Sequence, residues 1–293
     1  MEENRIQLDS LLNADLHCHS RCSDGTLAPA ELALLVKEHG VQLWALTDHD
    51  DLSGVKEAAA ASQKIGLPFL AGVEISTCFG AESIHVVGLG VDADDVVLQQ
   101  GLSEIRQGRN QRAQKIAQAL EKLGIKDALA GALRYAGNPD VISRAHFSRF
   151  LVGQGICKDN ADAFNRFLRK GKPAYVEHEW ISMEECLSWI HGAQGVAVLA
   201  HPGRYRGLSK NQRRNLFTEF CALGGGGVEV VTGNHSTEEM VQYTQMAQHY
   251  GLLASRGSDF HSPDESRICP GALPLLNSSA DPVWRVMANR ILY

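Results

Sequence analysis

The sequence has no apolar run that could cross a membrane and no apolar leader. None of its hydrophobic stretches approaches the roughly 18 consecutive residues that a membrane-spanning helix needs. The chain opens with the acidic stretch Met-Glu-Glu-Asn-Arg, which lacks the apolar centre of a secretory signal. These absences exclude an integral membrane protein and predict a cytoplasmic protein without a membrane partner.

The sequence also lacks an excess of positive charge. Its 28 lysine and arginine residues are outnumbered by 34 aspartate and glutamate residues, so the formal net charge is -6. Such a chain does not attract the phosphate backbone of DNA over its whole surface. Stable, nonspecific DNA binding is therefore not expected.

No CxxC pair occurs among the seven cysteines, and their number is odd. Together with the absence of an export signal, this predicts reduced thiols instead of a disulfide framework. Cys18 lies between His17 and His19. Because side chains alternate along a strand, Cys18 is expected to point away from the two histidines.

Short apolar runs alternate with amphipathic stretches along most of the 293 residues. Seven runs predict strands, at residues 14–16, 43–47, 69–75, 84–91, 195–200, 227–231 and 252–256. Five stretches predict helices between them, at residues 28–39, 52–65, 183–191, 210–223 and 237–250. Strand followed by helix, repeated, predicts an α/β fold with a parallel sheet or barrel.

The alternation stops in the middle of the chain. Residues 96–123, 144–153 and 161–170 have helical patterns, and no strand-like run of comparable quality lies among them. A helical insertion into one barrel is the simplest explanation. We therefore expect the first half of a barrel over residues 1–97, a helical cap over residues 98–175 and the second half over residues 176–293.

Nine histidine, aspartate and glutamate side chains lie at or near the ends of the predicted strands. Because the carboxyl ends of parallel strands meet at one face, these side chains should converge in one cleft. Clustered carboxylates repel one another unless cations lie between them. The pattern predicts a multinuclear metal site, of the kind that hydrolyses phosphate esters. The nine residues are His17, His19, Asp24, His49, Glu74, His85, His201, Asp259 and His261.

Some members of this set also have plainer explanations. Asp24 stands in a Ser-Asp-Gly turn and would serve equally as a turn or cap residue, and His85 would suit a satisfied core histidine. Glu74, in contrast, is costly inside an apolar run unless a cation pairs with it. Asp15 shares a strand face with His17 and is expected to orient an imidazole.

Six motifs of the chain occur together in one known family. They are His17-x-His19, Thr47-Asp48-His49, Gly72-Val73-Glu74, His85, Ala200-His201-Pro202 and Gly257-Ser258-Asp259-x-His261. The set resembles the motifs of the PHP (polymerase and histidinol phosphatase) superfamily. This resemblance implies a distorted (β/α)7 barrel with a mostly helical insertion and two or three divalent metal ions. Mn²⁺ is the first choice, while Fe²⁺ and Zn²⁺ suit the same nitrogen and oxygen ligands.

The resemblance also implies how the ligands are divided. One metal would be held by His17, His19, Glu74 and Asp259. A second would share Glu74 and bind His85 and His201. A third would bind Asp24, His49 and His261. Some members of the family carry histidine where this chain has Asp24.

Three segments, two of them in the cap, narrow the resemblance to one bacterial branch, the nucleoside 3',5'-bisphosphate phosphatases and ribonuclease AM. The similar segments are residues 142–151, 167–173 and 201–205. Arginine suits phosphate because its planar guanidinium binds two oxygens at once. The residues expected to bind substrate are Arg134, Arg144, His146 and Arg204. Arg149 and Lys170 suit either this role or a solvated helix face. The residues expected to take part in catalysis are Arg204 with His201 or His235, one of which would protonate the leaving oxygen.

The implied reaction is hydrolysis of the 3'-phosphate of nucleoside 3',5'-bisphosphates such as pAp. A 5'-3' exoribonuclease acting on short 5'-phosphorylated RNA is the main alternative, so the expected partner is a small nucleotide or a short RNA. A catalytically inactive, metal-binding regulatory module is a second alternative, which the complete ligand set disfavours. Histidinol phosphatase is a third, which the arginine-bearing cap disfavours.

Overall fold

Within residues 7–293, which the computed structural model describes, eight strands form one curled sheet. They are β1 (Ala14–Asp15), β2 (Leu43–Leu46), β3 (Phe69–Phe79), β4 (Glu82–Leu89), β5 (Ile181–Ser182), β6 (Val196–Leu199), β7 (Gly227–Thr232) and β8 (Leu253–Gly257). The sheet order is β1-β2-β3-β4-β6-β7-β8, with β5 beside β3. Residues 1–6 of the expected first half lie outside the described residues.

The first and last strands meet and bring the sheet close to a full barrel. The backbone N–H of Leu16 donates to the carbonyl of Arg256 at 2.9 Å, and that of His19 donates to Phe260 at 2.8 Å. Between them, Asp259 donates its N–H to the carbonyl of His17 at 2.8 Å. The predicted α/β barrel is confirmed, and its closure places the segments after β1 and β8 side by side.

The sheet departs from the expected parallel arrangement at β4. β3 continues to Phe79, four residues beyond the predicted end, and a tight turn at Gly80 with φ +57° leads directly into β4. A connection this short permits only antiparallel pairing. β4 is accordingly antiparallel to both β3 and β6. His85 near the start of β4 therefore lies at the barrel end where the parallel strands finish.

Helices between the strands begin at recognisable signals. They are α1 (Pro29–Glu38), α2 (Val55–Ile65), α7 (Met183–Gly192), α8 (Lys210–Ala222) and α9 (Thr237–Tyr250). The hydroxyl of Ser236 accepts the N–H of Glu239 at 3.3 Å, and the Glu239 carboxylate accepts the N–H of Ser236 at 2.9 Å. This is the capping box that places the start of α9. In the described part of the chain, none of the helices combines the length and apolarity of a membrane span.

The cap consists of α3 (Val96–Lys122), α4 (Ala128–Leu133), α5 (Arg144–Gly153) and α6 (Asn160–Ala163), followed by a π-helical turn at Phe164–Leu168. It has its own apolar core, which includes Leu120, Phe147 and Phe150. The first turns of α3 pack instead into the barrel core through Leu98 and Leu102. One continuous helix thus spans both cores, so the expected boundary at residues 97 and 98 falls inside it.

Close backbone contact at the end of β8 holds His17 in place. A Cβ atom added to Gly257 would lie 2.2 Å from the Cβ of His17 and 2.8 Å from its backbone nitrogen. Neither atom belongs to the flexible end of a side chain, so the strands would have to separate. Glycine is therefore required at position 257 for the barrel to close around His17.

We expect Gly257→Ala to lower the free energy of unfolding by about 1–3 kcal/mol, the usual cost of overpacking. Urea denaturation followed by circular dichroism measures this change. Gly192→Ala is the matched control, because no atom lies within 4 Å of a Cβ added there. Equal stability of the two variants would contradict the packing argument.

Candidate metal centre

The structure brings the nine strand-end residues together at one end of the barrel. Each offers a nitrogen or oxygen within 3.3 Å of a nitrogen or oxygen of another member. His17 and His19 lie on the same side of their strand end, with their Nε2 atoms 3.1 Å apart. Cys18 between them contacts Ser258 instead, as strand alternation predicts.

The carboxylate of Glu74 occupies the middle of the cluster. Its Oε1 lies 2.8 Å from nitrogens of His85 and His201. Its Oε2 lies 3.0, 3.2 and 3.3 Å from nitrogens of His49, His17 and His19. Yet Oε2 is buried and makes no hydrogen bond with any described residue. The imidazoles therefore surround the carboxylate without being oriented to donate to Oε2.

Other buried atoms of the cluster are equally unpartnered. Among the described residues, no hydrogen bond reaches His19 Nδ1, Asp24 Oδ1, His49 Nδ1, His201 Nδ1 or Asp259 Oδ1. A buried polar atom without a partner costs about 1–3 kcal/mol, so this many in one place indicates an absent ligand. Imidazole nitrogens and carboxylate oxygens are the donors that Mn²⁺, Fe²⁺ and Zn²⁺ accept. The residues therefore fit divalent cations.

Three groups of donor atoms have metal-site dimensions, with all ligand atoms within 4.8 Å of one another. They are His17, His19, Glu74 and Asp259; His19, Asp24, His49 and His261; and His49, Glu74 and His85. The first group equals the set expected for one metal. The second adds His19 to the expected third set. His201 joins the remaining group through its 2.8 Å approach to Glu74.

The electrostatics of the cluster keep two of its members, Glu74 and His201, in the forms that bind metals. Burial favours the protonated form of Glu74, but the imidazoles of His49 and His17 outweigh it and hold the pKa of Glu74 well below its usual range. Burial also lowers the pKa of His201 to about 4, and the nearby Arg204 acts in the same direction. An ionised carboxylate and a neutral imidazole are the forms that bind metals.

Glu229 on β7 supports the cluster, although the sequence reading did not single it out. It is buried, and its carboxylate lies 2.7 Å from Nδ1 of His17 and accepts the backbone N–H of His201 at 2.6 Å. A carboxylate behind a ligating imidazole fixes the orientation of the ring and raises its basicity. The sequence does carry a signal for Glu229, because it is a glutamate inside an apolar run, as Glu74 is.

Asp15 does not play the supporting role expected for it. Its carboxylate accepts the backbone N–H groups of Ser258 at 2.8 Å and Gly271 at 3.2 Å. Because the carboxylate faces these amides, it holds the loop after β8 and touches no imidazole. Glu229, from a strand distant in sequence, supplies the contact that Asp15 was expected to make.

Asp259 is held so that one carboxylate oxygen remains free. Oδ2 accepts hydrogen bonds from Arg204 at 2.7 Å and from Asn234 at 3.1 Å. Oδ1 lies 3.3 Å from Nε2 of His19 and has no hydrogen-bond partner in the described chain. The side chain of Arg204 remains 45% exposed, so the rest of its guanidinium is open to an anion in the cleft.

Two of the nine clustered residues have an unusual backbone conformation. His201 has φ +27° and Asp259 has φ +57°. Positive φ is sparsely populated for residues other than glycine and clusters at functional sites. The backbone therefore bends sharply at His201 and Asp259, just after the ends of β6 and β8.

The cap is anchored directly on the loop that carries Asp24. The hydroxyl of Ser143 donates to Oδ2 of Asp24 at 3.0 Å. Arg149 donates to the backbone carbonyl of Asp24 at 2.7 Å and pairs with both carboxylate oxygens of Glu265 at 2.8 and 2.7 Å. Arg149 is therefore a buried anchor and not part of a solvated helix face. Lys170, by contrast, is exposed.

Three other residues predicted to act on substrate have different surroundings. His146 is fully buried; its Nδ1 accepts the N–H of Ser143 at 3.0 Å, and its Nε2 has no hydrogen-bond partner among the described residues. His235 has both ring nitrogens engaged, by Gly203 and Val230 at 3.1 Å each, which leaves none to protonate a leaving group. Arg134 is exposed at the end of α4.

We expect Glu229→Gln to weaken metal binding about 10- to 100-fold, because His17 loses the charge that orients it and raises its basicity. Competition with a chromogenic chelator measures the affinity. Glu219→Gln is the control, since Glu219 is exposed on α8. Unchanged affinity in the Glu229 variant would remove Glu229 from the metal centre.

We expect Ser143→Ala to weaken the binding of only one of the metal ions, because Asp24 loses the hydrogen bond that orients its carboxylate. The dissociation constant of the weakest-bound ion should rise about tenfold, while the other ions stay bound. Elemental analysis after dialysis against graded metal concentrations measures both. Ser188→Ala, at an exposed serine of α7, is the control. Parallel loss of all ions would indicate general unfolding instead.

Comparison with known proteins gives consistent matches. Residues 15–168 match the PHP domain family. The chain is 45% identical over 282 residues to a 3',5'-nucleoside bisphosphate phosphatase of Chromobacterium violaceum, covering 96% of this chain and 99% of that protein. It is 39% identical over 270 residues to a 5'-3' exoribonuclease of Haemophilus influenzae, covering 92% of this chain and 97% of that protein. A solved Chromobacterium violaceum amidohydrolase, with bound sulfate and no metal, superposes with a TM-score of 0.91 at 44% identity, covering 96% of this chain and 97% of that one.

Proposed function

We propose that this chain, which belongs to the PHP domain family, is a metal-dependent phosphoesterase. It removes the 3'-phosphate from nucleoside 3',5'-bisphosphates such as pAp. One observation carries the proposal. Oε2 of Glu74 lies within 3.3 Å of three imidazole nitrogens and forms no hydrogen bond with a described residue. Such a site is built to bind cations.

The proposed ligands are the nine clustered residues, with Glu74 shared between ions and Mn²⁺ as the first choice of metal. Bound divalent cations would neutralise phosphate charge and activate water at neutral pH. The protein supplies the geometry. Glu229 fixes His17, while Arg204 and Asn234 hold one oxygen of Asp259 and leave the other free.

Arg204 is proposed to bind the phosphate that is cleaved. Its pairing with Asp259 fixes the guanidinium beside the metal ligands, and its exposed part can donate to phosphate oxygens. A positive group held in advance stabilises the charge that develops during hydrolysis. His201 is 2% exposed and faces Glu74, so we assign it to metal binding and not to protonation of the leaving oxygen.

An exoribonuclease that acts on short 5'-phosphorylated RNA is the second candidate. It is supported by the 39% identity to the Haemophilus influenzae exoribonuclease. The chemistry at the metals would be the same, since both reactions hydrolyse a bond between phosphorus and a 3'-oxygen. We also propose that the protein acts in the cytoplasm, where its seven free cysteines would stay reduced.

We expect Glu74→Gln to lower the rate of pAp hydrolysis about 10³-fold or more, because the loss of metal removes several kcal/mol of transition-state stabilisation. Release of phosphate and AMP from Mn²⁺-loaded protein measures the activity, and elemental analysis measures the metal. Glu184→Gln, at an exposed position of α7, is the control.

Full activity of the Glu74 variant would refute the metal assignment. If the unchanged protein released no phosphate from pAp, but released mononucleotides from a 5'-phosphorylated oligoribonucleotide, the exoribonuclease would replace the phosphatase as the proposed function.

A further inference from the structure

We infer that the groove between α8 and α9 binds single-stranded RNA on the 3' side of the bond that is cleaved. The inference rests on the second candidate function, the exoribonuclease, and deepens it. It gives the protein a site for the part of the RNA that extends beyond the metal centre. A nucleoside bisphosphate has no such part, so the groove would strengthen the binding of RNA alone.

The first observation is that the lining of this groove is basic. The groove has a volume of about 930 Å³. Lys210, Arg213 and Arg214 line it from α8, while His249 and Tyr250 line it from α9. Two glutamines and a methionine complete the lining, which includes no aspartate or glutamate of residues 7–293. Because the whole chain carries a net charge of -6, the sign of this surface is opposite to that of the protein as a whole.

The second observation is that these cations have no acidic partner. In the described chain, no carboxylate lies within 4 Å of Lys210, Arg213 or Arg214. Arg213 donates instead to the hydroxyl of Tyr243 and, at 3.5 Å, to the backbone carbonyl of Tyr205. Lys210 and Arg213 also lie in the first turn of α8, where the helix dipole disfavours positive charge. These charges therefore do not stabilise the helix, whereas they do suit a polyanion.

The groove begins next to the arginine proposed to bind the cleaved phosphate. The carbonyl that accepts from Arg213 belongs to Tyr205, the residue directly after Arg204. Arg204 donates to Asp259 of the metal centre at 2.7 Å. Arg206, in the same loop, is exposed and has no carboxylate within 4 Å among the described residues. Positive charge therefore continues from the metal centre along this loop to α8, and an RNA held at its 5' end would follow it into the groove.

Single-stranded RNA fits the groove better than other polyanions, because the lining also offers apolar surface. The ring of Tyr250 is partly buried against Phe217, with ring centres 5.3 Å apart, and it lines the groove beside Met246. The bases of a single strand stack on aromatic side chains while nearby cations bind the phosphates. The amides of Gln242 and Gln245 can donate to and accept from the edges of unpaired bases.

The kinetic test compares a long substrate with a short one. We expect Lys210→Gln and Arg214→Gln each to raise the KM for a 5'-phosphorylated RNA of about 12 nucleotides about fivefold at about 0.1 M salt. The reason is that each lost phosphate contact removes about 0.7 from the slope of log K against log salt concentration. The KM for a 5'-phosphorylated dinucleotide, which has only one nucleotide beyond the cleaved bond, should be unchanged. Lys64→Gln, at an exposed lysine of α2, is the matched control.

A binding measurement separates the inference from the exoribonuclease function. The probe is a fluorescent phosphorothioate RNA of the same length, which resists hydrolysis, and the readout is anisotropy with Mn²⁺-loaded protein. The double variant Lys210→Gln, Arg214→Gln should bind the probe about 25-fold more weakly than the unchanged protein at about 0.1 M salt, and its salt slope should fall by about 1.4.

The outcomes distinguish the two claims. Loss of binding in the double variant would support the groove even if the protein hydrolysed no RNA, a result that would refute the exoribonuclease alone. Binding by the double variant equal to that of the Lys64→Gln control would overturn the inference. An equal rise of KM for the long and the short substrate would overturn it as well, because the substitutions would then act through the metal centre.

Discussion

A buried carboxylate surrounded by five imidazoles is the constraint on which the rest of the structure depends. Glu74 is fully buried, yet only one of its oxygens is satisfied by hydrogen bonds within the described chain. An ionised group of this kind is tolerated in a protein interior only when cations compensate it. The barrel end must therefore deliver ligands from several strands to one point, and the loops must be held well enough to keep them there.

Three sets of contacts hold the ligands and their loops in place. Glu229 reaches from β7 to His17 and to the backbone of His201. Asp48 accepts hydrogen bonds from the hydroxyls of Ser20 and Ser23 at 2.6 Å each and so shapes the loop before Asp24. The cap adds Ser143 on Asp24 itself. The cap is thus a structural part of the candidate metal centre.

Most of the centre could be predicted from the sequence because its ligands follow strand periodicity, which is local information. His17 and His19 share a face for this reason, and Glu74 stands out inside an apolar run. The direction of β4 was not foreseen, because a strand pattern does not record which way the strand runs. The partners of Asp15, His146 and His235 were also missed. Asp15 and His235 bond to backbone groups that are distant in sequence, whereas His146 bonds to the N–H of Ser143 at the start of its own helix.

The arginines of the cap show the same limit of prediction from the sequence. The sequence marks Arg144 as a phosphate ligand by resemblance, but the spacing of Arg106, Arg109 and Arg112 by itself predicts only a charged helix face. The structure distinguishes the three by their partners, since Asp51 and Asp50 neutralise the first two. The paired arginines tie α3 to the loop after His49. The unpaired one, Arg112, instead donates to the backbone carbonyl of Val176 at 3.0 Å, so it joins α3 to the segment that leaves the cap.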